Sequence, residues 1–147
     1  MNQNEYLSRV DFSAPVEQLL EDVANKYDLG VYKSYSVIES GYEDCNIQLT
    51  TSKGKFLVKA FAKTRKQSEI SRYIDIYHQV MSAGVNHPTH HPTVGGDLLY
   101  KNKSVKLVVM DFIQGRTYLD NDIPVTGIDL TKIVDQAVKI IAFNGEQ

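Results

Sequence analysis

Between residues 32 and 61 the apolar side chains repeat every second position, and on either side of that stretch they repeat every third or fourth. A chain that changes period in this way is committed to strands flanked by helices. Residues 35–39, 47–51 and 56–61 read as three strands. Ser52-Lys53-Gly54-Lys55 supplies a hairpin turn with glycine where a positive φ is needed. Residues 40–46, Ser-Gly-Tyr-Glu-Asp-Cys-Asn, read as a turn-rich loop. Alternation along the third strand puts Leu57, Lys59 and Phe61 on one face and Phe56, Val58 and Ala60 on the other. Lys59 is therefore a charge flanked by large apolar neighbours.

The 3.6-residue period governs three other segments. Residues 13–27 carry Val16, Leu19, Leu20, Val23, Ala24 and Tyr27 on one stripe, with Ser13 as cap and Pro15 in the first turn. Residues 64–83 carry Ile70, Tyr73, Ile74, Tyr77 and Met81, with Thr64 and Gln67 at capping-box spacing and Gly84 as the stop. Residues 129–143 carry Leu130, Ile133, Val134, Ala137, Ile140 and Ile141 on one side. Residues 86–96, with Pro88, Pro92 and Gly95-Gly96, read as a loop. Residues 98–101 and 105–112 read as two more strands around an Asn102-Lys103 turn, the second continuously apolar like a central strand. The order predicts an α+β fold: a five-stranded antiparallel sheet, a packed crossover helix, and flanking N- and C-terminal helices.

A length of 147 residues suits one domain with a real core. The net charge of −2 argues against nucleic acid or a membrane surface as partner, since both select a basic excess. A single cysteine, Cys45, excludes an internal disulfide framework. No secretory leader or membrane-length apolar run is visible, so a cytoplasmic protein is expected.

Read residue by residue, the chemistry is open. Lys59 either snorkels to water or is held to pair with an anion such as phosphate. Gly41 is either a turn glycine or part of a phosphate cradle. His87, His90 and His91 fall in a polar loop, where a metal site is the less favoured reading. Cys45 reads as structural rather than reactive. Asp120, Asp122 and Asp129 read as a solvated linker. The apolar side of the last helix must find cover, and some self-association is expected.

Three stretches narrow the choice: residues 39–46, Glu-Ser-Gly-Tyr-Glu-Asp-Cys-Asn; residues 54–61, Gly-Lys-Phe-Leu-Val-Lys-Ala-Phe; and residues 109–117, Val-Met-Asp-Phe-Ile-Gln-Gly-Arg-Thr. In order and spacing, over roughly residues 14 to 120, the chain resembles the small lobe of the aminoglycoside phosphotransferase and choline kinase family, which has the protein-kinase-like fold. The resemblance implies that the loop holding Ser40, Gly41, Tyr42 and Asn46 lies over the phosphates of ATP, and that Lys59 contacts the α- and β-phosphates. It implies that Met110 backs the adenine pocket and that the backbones of Asp111 and Ile113 bond the adenine edge. A helix carboxylate would orient Lys59. Glu69, at the edge of the apolar stripe, is favoured over Asp75, which lies opposite it.

Two departures stand out. Asp44 occupies a place where the family often has asparagine, adding negative charge near the phosphates. The family's His-Gly-Asp catalytic loop does not occur, nor does a later magnesium-binding aspartate before Gln147. The expectation is an N-terminal tail (1–12), a nucleotide-binding lobe (13–115), and a linker with a C-terminal helix (116–147) leading toward a large lobe. The resemblance implies the ATP-binding part of a small-molecule O-phosphotransferase acting on an alcohol, inactive alone. Magnesium would be held only with the large lobe. The alternative is a non-catalytic module that binds nucleotide or a protein partner.

Overall fold

The computed structural model describes residues 3–115 and 122–144. The described residues form two compact units. One falls within Met1–Ile70 and Pro88–Phe112, the other within Ser71–His87 and Ile113–Gln147.

The first unit is built on an antiparallel sheet. Its strands are β1 (Tyr32–Ile38), β2 (Cys45–Thr51), β3 (Lys55–Ala60), β4 (His90–His91), β5 (Tyr100–Lys101) and β6 (Lys106–Asp111), in the order β1-β2-β3-β6-β4 with β5 also on β6. All five strands expected from sequence are present and the fold is α+β. The sixth, β4, lies where a loop was expected. Pro88 and Pro92 bracket it, so the prolines delimit a two-residue edge strand rather than abolish one.

Register explains the core. Ile47, Val58 and Val109 lie side by side on three neighbouring strands, as do Cys45, Ala60 and Leu107. All six are fully buried. Each aliphatic side chain so buried stabilises the fold by about 1.5–3 kcal/mol. This face shares its core with the helix α2 (Val16–Lys26), through Leu19, Leu20, Val23, Ala24 and the following Tyr27. Tyr100 of β5 donates its hydroxyl to Asp22 Oδ2 at 2.6 Å, tying α2 to the sheet.

Two expectations at the N-terminal end change. Residues 1–12 read as a tail, yet Gln3–Leu7 forms a short helix, α1, and Tyr6 and Val10 enter the core. Ser13 does not cap α2. The position before that helix is Pro15, with no side-chain cap.

The helix α3 (Gln67–Ser82) starts in the first unit and continues in the second. Its start is not capped by Thr64 and Gln67. The Glu69 carboxylate instead accepts the Lys66 N–H at 2.7 Å, the return half of a capping box shifted by two residues. At its end Gly84, with φ +69°, donates to the Met81 carbonyl at 3.0 Å, and Val85 donates to that of Val80 at 3.2 Å. This is a Schellman stop, which needs the left-handed residue that glycine supplies.

In the second unit, α4 (Gly127–Asn144) begins with a capping box. The Thr126 N–H and hydroxyl both donate to Asp129 Oδ2, at 3.0 and 2.6 Å. Asp129 is thus a helix cap and not part of a solvated linker; Asp120 lies outside the described residues. Gln136 of α4 accepts the Asn86 N–H at 2.7 Å. Ile128, Leu130, Ile133, Val134, Val138 and Ile141 are exposed.

Candidate functional site

The two faces of the sheet differ in chemistry, and register shows why. One residue on from each core position, Asn46, Lys59 and Val108 form a row, and Gln48, Leu57 and Met110 form the next. Strand alternation therefore collects Asn46, Lys59 and Met110 on the face opposite the core with α2. Val108 and Met110 are buried there. Asp44, two residues before Asn46, has the same parity.

A cleft of 370 Å³ opens between this face and the β1–β2 loop, lined by Gly41, Tyr42, Glu43, Asp44, Asn46, Lys59 and Arg65. Gly41 has φ +96°, a conformation glycine adopts without strain. Tyr42 is fully exposed at the loop's tip. Ser40 is exposed, and its N–H donates back to the Ile38 carbonyl at 2.8 Å. Beneath the loop, Arg9 donates to the carbonyls of Gly41 at 3.0 Å and Asp44 at 3.4 Å, with its guanidinium 4.3 Å from the Tyr6 ring centre.

The electrostatic centre of the cleft is Asp44, whose side chain is 3% exposed. Its Oδ2 lies 2.9 Å from Lys59 Nζ. Arg65 grips both oxygens, with Nε on Oδ1 at 2.9 Å and Nη2 on Oδ2 at 3.1 Å, and the Ala62 N–H adds a bond to Oδ1 at 3.1 Å. Burial pushes the Asp44 carboxyl up, but the bonds from Arg65, Lys59 and the Ala62 amide outweigh it and hold the pKa below the ordinary value. The same carboxylate raises Arg65. Glu43 takes the outer edge of Arg65 at 2.7 Å.

The expected helix carboxylate is thereby corrected. The acid brought to Lys59 is Asp44, from the loop, whereas the Glu69 carboxylate accepts its own helix's first N–H. A carboxylate at that position is favoured by the positive end of the helix. Asp75 is exposed. Asp44 does add negative charge beside the β1–β2 loop, but Lys59 and Arg65 both contact it. Arg65 drew no attention in the sequence because the β3–α3 connection has no periodicity. Asp44 as a partner was legible: it precedes by two residues the register partner of Lys59.

The remaining site positions separate. Met110 is buried on β6 between β3 and β4. The Asp111 N–H already donates to the Thr89 carbonyl at 2.9 Å, and its side chain meets His91 Nε2 at 2.7 Å, so a base edge could use only its carbonyl. Ile113, in the second unit, is exposed. Arg116 and Thr117 lie outside the described residues. Cys45 points into the core, and burial pushes its thiol up to about 11, which makes it a structural cysteine. Among the described residues no three His, Cys, Asp or Glu side chains converge to hold a metal ion. His90 is buried on β4, and His87 packs edge-on to Tyr77.

Chemically, the cleft brings two cations, Lys59 and Arg65, together with two carboxylates, Asp44 and Glu43. A lysine ammonium and an arginine guanidinium lie under a glycine turn, in a space of a size that holds small molecules. No helix among the described residues is long and apolar enough to cross a membrane.

The chain is 24% identical over 99 residues to a homoserine kinase of Parvibaculum lavamentivorans, covering 67% of this chain and 31% of that protein. It is 26% identical over 96 residues to one of Allorhizobium ampelinum, covering 65% and 30%. It is 33% identical over 87 residues to one of Paraburkholderia phymatum, covering 59% and 27%. The chain is thus distantly similar to homoserine kinases and spans less than a third of their length. No family model matches it.

Proposed function

We propose that this chain is the nucleotide-binding part of an ATP-dependent O-phosphotransferase acting on a small alcohol. One observation carries the reading. Lys59 stands in the middle strand, on the face opposite the α2 core, oriented by an acid and facing a cleft beneath a glycine loop. The role of snorkelling strand lysine does not require that arrangement. ATP phosphates would lie between the Gly41–Tyr42 turn and Lys59, with Asn46 at the side and Leu57 and Met110 behind the base. Bound ATP supplies the γ-phosphoryl group. What these residues do is bind, orient and neutralise it. The similarity to homoserine kinases favours homoserine or a similar amino alcohol as acceptor. Magnesium would need carboxylates beyond this cleft. The exposed side of α4 supports self-association as part of the same reading.

Calorimetric titration of the chain with ATP tests this. Wild-type protein is expected to bind, and Lys59→Ala to bind at least about tenfold more weakly, the value of one charge-assisted hydrogen bond. Equal affinity in both proteins overturns the reading. Absence of ATP binding favours a module that recognises a protein partner instead. The acceptor is assayed as ADP release by the full-length gene product with homoserine against choline.

A further inference from the structure

We propose that Asp44 is the positioning residue for Lys59 and that Arg65 locks it in place, an inference that rests on the nucleotide-binding reading. A carboxylate accepts about four hydrogen bonds. Asp44 receives four: Ala62 N–H and Arg65 Nε on one oxygen, Lys59 Nζ and Arg65 Nη2 on the other. Its rotamer is therefore fixed. Lysine carries its charge on a flexible four-carbon stem, so a fixed acceptor decides where the ammonium sits. Arginine can hold both oxygens at once through its rigid fork, which lysine cannot do.

The lock also includes the loop. Asp44 ends the turn that Gly41 begins, and Arg9 holds the carbonyls of both. The roof of the cleft and the cation in its floor are thus joined through Asp44. A phosphate entering it meets an ammonium already aimed, with no side-chain ordering left to do on binding. Arg65 lies in none of the three stretches that carry the family resemblance, and the acid it holds comes from the loop rather than from α3. The positioning of Lys59 has in this chain been built from the β1–β2 loop and the β3–α3 connection.

Two measurements on Asp44→Asn and Arg65→Lys test this. The first is ATP titration beside wild type and Lys59→Ala. Each variant is expected to lose about tenfold or more in affinity, the equivalent of one charge-assisted hydrogen bond. The second needs no nucleotide: acylation of lysines by a small neutral reagent, mapped by mass spectrometry. Lys59 is expected to label several-fold faster in both variants, with the exposed Lys101 and Lys132 unchanged. A bridge that only stabilises the fold would not single out Lys59. If Asp44→Asn does not fold, Arg65→Lys, which keeps the charge and removes the fork, carries the test. Unchanged Lys59 labelling overturns the proposal. Unchanged ATP affinity in both variants, where Lys59→Ala has lost ATP, overturns it and leaves the nucleotide reading standing. Wild-type protein that binds no ATP overturns both.

Discussion

The sheet and the last helix treat their apolar residues in opposite ways. In β2 every second residue, from Cys45 through Ile47, Leu49 and Thr51, is buried, and in β6 four consecutive residues are. In α4, by contrast, Leu130, Ile133, Val134 and Val138 are each more than half exposed. Both segments are equally clear amphipathic or apolar patterns in sequence. The difference is that a sheet finds its partners within itself and in the helices that directly precede it, so its core closes locally. An apolar helix stripe needs another element's face. Periodicity states that a face is to be covered and says nothing about by what.

The largest effect expected from this contrast is in the sheet. Ile47→Ala removes a fully buried side chain from the Ile47-Val58-Val109 row and should cost about 2–5 kcal/mol in urea unfolding. Leu130→Ala on α4 should cost less than about 0.5 kcal/mol, because the side chain is already in water. Comparable losses in the two variants would show that α4 is covered and would erase the distinction.

Next in size is the polar lock in the cleft. Asp44→Asn removes the carboxylate charge that Lys59 and Arg65 share and should cost about 1.5–3 kcal/mol near neutral pH. The pH dependence has a definite sign. The folded-state pKa of Asp44 lies below its ordinary 3.8, so its contribution is complete above that value. It is lost as the pH falls through the lower, folded-state value. Wild-type stability should fall below about pH 4 more steeply than that of Asp44→Asn. Parallel acid limbs in chemical denaturation would show that Asp44 carries no such linkage.

A kinetic contrast is smaller but cleaner. Burial raises the Cys45 thiol to about 11, so iodoacetamide at pH 8 should leave native protein unmodified for as long as the sheet stays closed. Modification should follow the urea transition. Ready modification of native protein would mean that the β2–β3–β6 core opens locally, and that the sheet is not the closed half of the comparison.

These differences track what was readable in the chain. Strand and helix periods, the hairpin at Gly54 and the stop at Gly84 are local, and the structure has them. Face membership was also legible: alternation alone put Lys59 opposite Val58. What local pattern could not supply was pairing across the sheet. Pro88 and Pro92 signalled a loop, but the short run between them bonds to β6, and only the register with Met110 and Val109 makes it a strand. The helix acid Glu69 was a sound candidate for Lys59 by stripe position. It is captured by the Lys66 amide because a helix start leaves N–H groups that need acceptors. Asp44, Arg65 and Arg9 come together from the β1–β2 loop, the β3–α3 connection and the N-terminal segment. No window of sequence contains all three.

The finest test concerns what α4 does with its open face. Leu130, Val134, Ala137 and Ile141 follow a four-three-four spacing, the seam of a coiled coil. The flanking positions Ile133, Val138 and Ile140 are apolar too, where a two-stranded coil places charges that set its partner. A stripe that wide is poorly matched to a single partner helix and suits association through a broad, weakly specified surface. The chain should therefore show concentration-dependent association in sedimentation velocity. Val134→Lys should abolish it while changing unfolding stability by less than about 0.5 kcal/mol, since the charge is placed in water. A monomer at all concentrations would remove self-association from the reading. A large stability loss in Val134→Lys would instead show that the face is buried within the chain, and the contrast between the closed sheet and the open helix would fail.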